Sequence, residues 1–131
     1  MSEELESAAS VLPRLRVFNG PEIALGPGKA RLLRGIAATG SLSAAARELG
    51  MSYMRAWRLV HTMNSCFREP LVELSRGGRE QGGAQLSTTG RRVLELYQEM
   101  EKLCRAAIAA PRAELEGLLA AVPGEDAAPH P

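Results

Sequence analysis

Apolar and polar residues alternate at the start of the readable chain, where Arg14 and Arg16 are interleaved with Leu15 and Val17. A period of two marks a strand with one covered face. Asn19-Gly20-Pro21 follows as a turn and residues 22–26 as a second short strand, so residues 14–26 read as a hairpin. The period then lengthens. Leu32, Leu33, Ile36 and Ala37 recur at helical spacing, with Lys29, Arg31 and Arg34 outside their stripe. Pro27 suits a first helical turn, and Thr39-Gly40 a helix stop. Ser41 or Ser43 caps a short second helix over 44–49, which Gly50 ends. Ser52 caps a third, running to about Phe67, and Pro70 closes it off.

The short β-favouring runs at 71–75 and 84–87 flank the glycine-rich stretch Arg76-Gly77-Gly78-Arg79-Glu80-Gln81-Gly82-Gly83, which predicts a second hairpin. Ser87 caps a long final helix over 88–109, about 30 Å in length at 1.5 Å per residue. Val93, Leu96, Tyr97, Met100, Leu103, Cys104, Ala107 and Ile108 fall within about 140° of its circumference. A helix as long as a small domain is wide needs a partner, so this stripe is the expected dimer interface. Pro111 ends or kinks the helix, and residues 112–122 add a short one. The fold expected is mainly α with small β-hairpins, a winged helix-turn-helix followed by a long C-terminal dimerisation helix. Its boundaries are a disordered N-terminus over 1–13, a DNA-binding domain over 14–87, the dimerisation helix and short following helix over 88–122, and a disordered tail over 123–131.

Spacing tests the helix-turn-helix directly. Such a motif needs a small residue where its helices cross and a glycine four positions on at the left-handed turn. Ala46 and Gly50 meet that spacing, and the inward positions Ala45, Leu49, Met51, Ala56 and Leu59 are apolar. Along the third helix Ala56, Leu59, Val60, Met63 and Phe67 form the inward stripe. Met54, Arg58 and His61 point the other way, with Arg55 and Trp57 on the flanks. That outward face is a poor core and a fitting major-groove surface: Arg58 can take guanine O6/N7, and Met54 or Trp57 a thymine methyl. Ser41, Ser43 and Ser52, at helix N-termini, suit phosphates, and Tyr53 lies beside them. Trp57 packing against the second hairpin is the alternative. The glycine-rich loop lacks the Gly-Lys-Ser/Thr ending of a nucleotide cradle and joins two strands. It reads as a wing that carries Arg76 and Arg79 to the DNA backbone or minor groove.

Charge sharpens this reading. The net +1 conceals a middle, residues 14–92, with 13 basic against five acidic side chains, flanked by acidic ends. Fourteen of the 16 basic residues are Arg, whose planar fork matches phosphates and guanine edges. A basic middle is a nucleic-acid footprint. No apolar run reaches the roughly 20 residues of a membrane span, and the acidic N-terminus argues against a signal or transit peptide, so a cytoplasmic protein is expected. Cys66 and Cys104 lack metal or redox spacing. No Ser/His/Asp or Cys/His set and no metal-ligand cluster is present, so neither catalysis, a metal nor a cofactor is expected.

Gly-Ser-x-Ser at 40–43, Ser-Tyr-x-x-Ala-Trp at 52–57 and the glycine-rich wing ending in Leu86-Ser87-x-x-Gly90 resemble the N-terminal domain of ModE-type molybdate-responsive transcriptional regulators, itself related to the LysR-type winged helix. The resemblance runs from about residue 14 to 108. It implies a helix-turn-helix at 41–63, a wing at 71–87, and a last helix that pairs subunits. It also implies a homodimer on a pseudo-palindromic double-stranded DNA operator, at genes of molybdate uptake or molybdenum enzymes. The C-terminal β-domains that bind molybdate in that family have no counterpart in these 131 residues, which puts molybdate binding in doubt. The alternative function is a winged-helix protein–protein interaction module without specific DNA binding.

Overall fold

A computed structural model describes residues 9–75 and 83–122. They fall into two compact units: residues 14–99, and the described residues of 1–13 with those of 100–131. The first opens with the expected hairpin, β1 (Val17–Asn19) antiparallel to β2 (Glu22–Leu25), turning at Gly20 with φ 61°. Helix α1 (Pro27–Thr39) starts on Pro27 and ends at Gly40, whose φ of 71° lets its N–H reach the Ile36 carbonyl at 2.8 Å. Leu32, Leu33 and Ile36 are buried as their spacing requires, and Ala30 completes the stripe. Ala37, expected inward, is exposed in the last turn.

Helices α2 (Leu42–Glu48) and α3 (Tyr53–Cys66) follow, then the antiparallel pair β3 (Val72–Ser75) and β4 (Gly83–Leu86). One core gathers Leu25 with Leu32, Leu33 and Ile36 of α1, Ala45 of α2, Val60 and Met63 of α3, and Leu86 of β4. The Ala84 N–H donates to the Gly40 carbonyl at 3.1 Å, tying β4 to the turn between α1 and α2. Ser87 links β4 to α4 (Thr88–Ala107): its N–H donates to the Leu71 carbonyl at 2.9 Å, and its Oγ accepts from Gly90 N–H at 2.9 Å. A Cβ at Gly90 would lie 2.1 Å from the carbonyl oxygen of Leu71, the residue before β3, so only glycine lets α4 approach the backbone there.

Within this unit the stripe on α4 divides. Tyr97 is 1% exposed and donates its hydroxyl to the Leu15 carbonyl at 2.8 Å. It therefore belongs to the core of its own chain and not to the dimer interface expected of it. Leu94, outside the expected stripe, is buried beside it, and Val93 packs partly against the core.

In the other unit α4 runs on to Ala107, and after a turn at Ile108 the chain forms α5 (Ala109–Gly117). The interruption comes before Pro111, not at it, and α5 begins at Ala109 instead of Arg112. Proline lacks an N–H and its ring clashes with the carbonyl four residues upstream, here Ala107, so the helix breaks there. Arg112 N–H then bonds the Ile108 carbonyl at 2.8 Å. Residues 9–13, expected to be disordered, are described: Val11 N–H donates to Glu116 Oε2 at 2.8 Å, and Arg112 Nε to the same oxygen at 2.8 Å. Residues 1–8 and the tail 123–131 lie outside the described residues. Among the described residues no helix is long and apolar enough to cross a membrane.

Candidate nucleic-acid interface

The turn between α2 and α3 is built from backbone bonds that small residues permit. Met51 N–H donates to the Ala46 carbonyl at 3.0 Å and Gly50 N–H to Arg47 at 3.1 Å, with Gly50 at φ 70°. Ala45 and Ala46 are buried. A close crossing also lies between α1 and α2, where a Cβ on Gly35 would come within 3.1 Å of Ala45 Cβ. The alanine run is matched by a glycine on the facing helix, a pairing that one-dimensional spacing does not reveal.

Serine hydroxyls set both helix starts. Ser41 Oγ accepts from Ala44 N–H at 3.1 Å, and Ser52 Oγ from Arg55 N–H at 3.1 Å. Ser41, not Ser43, is the α2 cap, because its extended backbone (φ −146°, ψ 126°) aims the side chain at the first turn. A capping hydroxyl accepts through oxygen and keeps its own hydrogen, so both serines retain a donor for a phosphate.

Helix α3 separates its faces as its spacing predicts. Ala56, Val60 and Met63 are fully buried, and Leu59 and Phe67 pack partly against the core. Tyr53, Met54, Arg55, Trp57, Arg58 and His61 are all exposed, which brings six candidate residues onto one accessible surface. Neither Arg55 nor Arg58 has an ion-pair partner among the described residues. The Trp57 ring stacks on His61, with centroids 3.7 Å apart. Arg76 and Arg79 lie outside the described residues; of the strands on either side of them, β4 meets Gly40 and Ser41 at the start of α2, through the Ala84 N–H and a bridge from Gly83.

One residue of this assembly was not singled out by spacing. Asn64 Oδ1 accepts from the N–H groups of Leu71 (2.8 Å) and Val72 (3.1 Å), while its Nδ2 donates to the Val72 carbonyl at 3.1 Å. It clamps the first strand of the wing to α3. The available signal was a polar residue adjoining the apolar stripe just before a β-favouring run. Among the described residues no group of three His, Cys, Asp or Glu could hold a metal ion.

This geometry has known counterparts. Residues 28–91 match the family described as bacterial regulatory helix-turn-helix protein, lysR family. The span runs from the first turn of α1 through both hairpin strands of the wing into α4. Residues 28–91 belong to the LysR-type helix-turn-helix family. Relatives of this LysR-type domain include the molybdenum transport protein ModE of Azotobacter vinelandii, 38% identical over 95 residues that cover 72% of this chain and 35% of that protein. The molybdenum-pterin-binding protein MopB of Rhodobacter capsulatus is 42% identical over 77 residues, 59% of this chain and 28% of that protein. The DNA-binding transcriptional dual regulator ModE of Escherichia coli K12 is 38% identical over 77 residues, 59% and 29%. The chain thus spans about a third of the length of the curated relatives it matches. A solved structure titled as the CbnR_DBD–DNA complex superposes with a TM-score of 0.53 at 22% identity, covering 67% of this chain and 95% of that one, which establishes the winged-helix fold. The identities to ModE regulators agree with the resemblance read from the Ser-Tyr-x-x-Ala-Trp and wing residues.

Proposed function

We propose that this chain is a sequence-specific, DNA-binding transcription regulator that works as a cytoplasmic homodimer on a pseudo-palindromic operator. The observation that carries the reading is the exposed face of α3 in a LysR-type helix-turn-helix, with Arg55 and Arg58 free of ion pairs among the described residues. Arg58 takes a guanine edge and Arg55 a phosphate or base, while Met54 and Trp57 offer apolar contact to thymine methyl groups. Tyr53 and the hydroxyls of Ser41, Ser43 and Ser52 meet phosphates at the two helix starts. The arginines at 76 and 79 extend the contact along the backbone. The names of the relatives favour genes of molybdate uptake or molybdenum enzymes as targets.

The test is a gel-shift titration, at several salt concentrations, on DNA that the chain selects from a random library. Removing one arginine–phosphate interaction reduces the log–log salt slope by about 0.9. Removing an arginine–guanine pair costs about 1–3 kcal/mol and relaxes one base position. Arg55→Ala and Arg58→Ala should each weaken binding by roughly tenfold or more on that scale. Wild-type affinity in both variants would overturn the assignment of α3. DNA binding absent at every salt concentration would favour a winged helix that binds protein instead.

A further inference from the structure

Trp57 and His61 stand one turn apart on the exposed face of α3, and their rings stack with centroids 3.7 Å apart at an interplanar angle of 26°. His61 Nδ1 lies 3.0 Å from the Trp57 carbonyl oxygen. A carbonyl oxygen only accepts, so the hydrogen of the neutral imidazole is assigned to Nδ1, and Nε2 is left with a lone pair. The stack fixes the plane of the ring, and the backbone bond fixes which nitrogen is free. Among the described residues nothing bonds Nε2.

We infer that His61 is a specificity-determining residue, held by Trp57 as an oriented hydrogen-bond acceptor for a base with a major-groove amino group, adenine N6 or cytosine N4. The inference rests on the DNA-reading role proposed for α3. Its polarity is what sets it apart from its neighbours. Arg55 and Arg58 only donate and so select acceptors such as guanine O6 and N7. His61, one turn from Arg58, presents the opposite demand and rejects a base edge that offers only acceptors. The stack also covers one face of the Trp57 indole, so Trp57 meets DNA with its edge or its other face.

The test is selection of bound sequences from a random duplex library by the full chain and by His61→Phe, His61→Arg and Trp57→Ala. Phenylalanine keeps a flat ring on Trp57 and removes both nitrogens, whereas arginine exchanges the acceptor for donors. The wild type should favour adenine or cytosine at one position of its consensus by roughly fivefold, the worth of one net hydrogen bond. His61→Phe should flatten that position alone, and His61→Arg should convert it to guanine. Trp57→Ala should blur the same position, because the ring is released. A His61→Phe consensus equal to the wild type's overturns the inference and leaves the roles of Arg55 and Arg58 standing. An unblurred position in Trp57→Ala overturns the orienting role of the stack. A wild type that recovers no consensus overturns the DNA-reading proposal and this inference with it.

Discussion

Asn64 spends both ends of its amide on the start of β3, accepting from two N–H groups and donating to one carbonyl. Leu71 and Val72 are 0% and 2% exposed, so water cannot replace those bonds. Each buried polar group left unsatisfied costs about 1–3 kcal/mol, and Asn64→Ala should therefore lose about 2–4 kcal/mol after local relaxation. Asn64→Asp keeps both accepting contacts but turns the donating end into an oxygen that faces the Val72 carbonyl, so its loss should be the smaller of the two without vanishing. Urea denaturation of the two variants measures both, and equal losses would refute the account. At this scale the exposed set Met54, Arg55, Arg58 and His61 was legible in the sequence, because helical angle alone separates it from Ala56, Val60 and Met63. The Asn64 clamp and the stack of Trp57 on His61 were not. Angle says which way a side chain leaves the helix, but not which partner it finds, and Asn64 finds a strand that is one loop away.

Among elements, the two hairpins and the first three helices were legible because each carries its own punctuation: Gly20, Pro27, Gly40, Ser52 and Ser87. The break between α4 and α5 was legible only in part. Pro111 announces an interruption, but the residue that yields is the carbonyl four positions earlier, at Ala107. The anchoring of residues 9–13 was hidden for another reason, since Val11 and its acceptor Glu116 are 105 positions apart. The Val11 N–H holds the Glu116 carboxyl below the usual glutamate range of 4.5, and the Arg112 guanidinium lowers it further. A lowered carboxyl stabilises the contact at pH above the usual glutamate range, and that contribution is lost as pH falls through the depressed value. The protection factor of the Val11 amide against hydrogen exchange should thus be flat near neutrality and fall once the pH drops below the ordinary glutamate range. Glu116→Gln cannot titrate and should remove the step. A step of the same size in that variant would show that another group governs the segment.

For the whole molecule, the question is how one reading helix becomes a selective regulator. The basic middle, +8 over residues 14–92, supplies salt-dependent attraction to any duplex. Selectivity for a palindrome requires two reading helices in a fixed relation, as a two-fold dimer provides, with half-sites about 34 Å apart on one face of DNA. Leu96, Met100 and Leu103 recur along α4 with 40%, 44% and 61% of their surface exposed, while Tyr97 between them is turned into the core of its own chain. An apolar row at this spacing on a helix about 30 Å long matches what a second copy of the same helix would cover. We therefore expect Leu103→Glu, which places like charges opposite each other across a two-fold axis, to convert a dimer into a monomer in sedimentation velocity. Leu103 contributes nothing to the core, so the variant should still unfold cooperatively and lose only the stability that association adds to the wild type. Binding to a palindrome should fall to the level of a half-site, a loss of at least tenfold once the two sites no longer share an effective concentration. A wild type that sediments as a monomer and still binds the palindrome far more tightly than a half-site would overturn this arrangement. Loss of dimerisation in Leu103→Glu without loss of palindrome preference would show instead that DNA itself brings the two copies together.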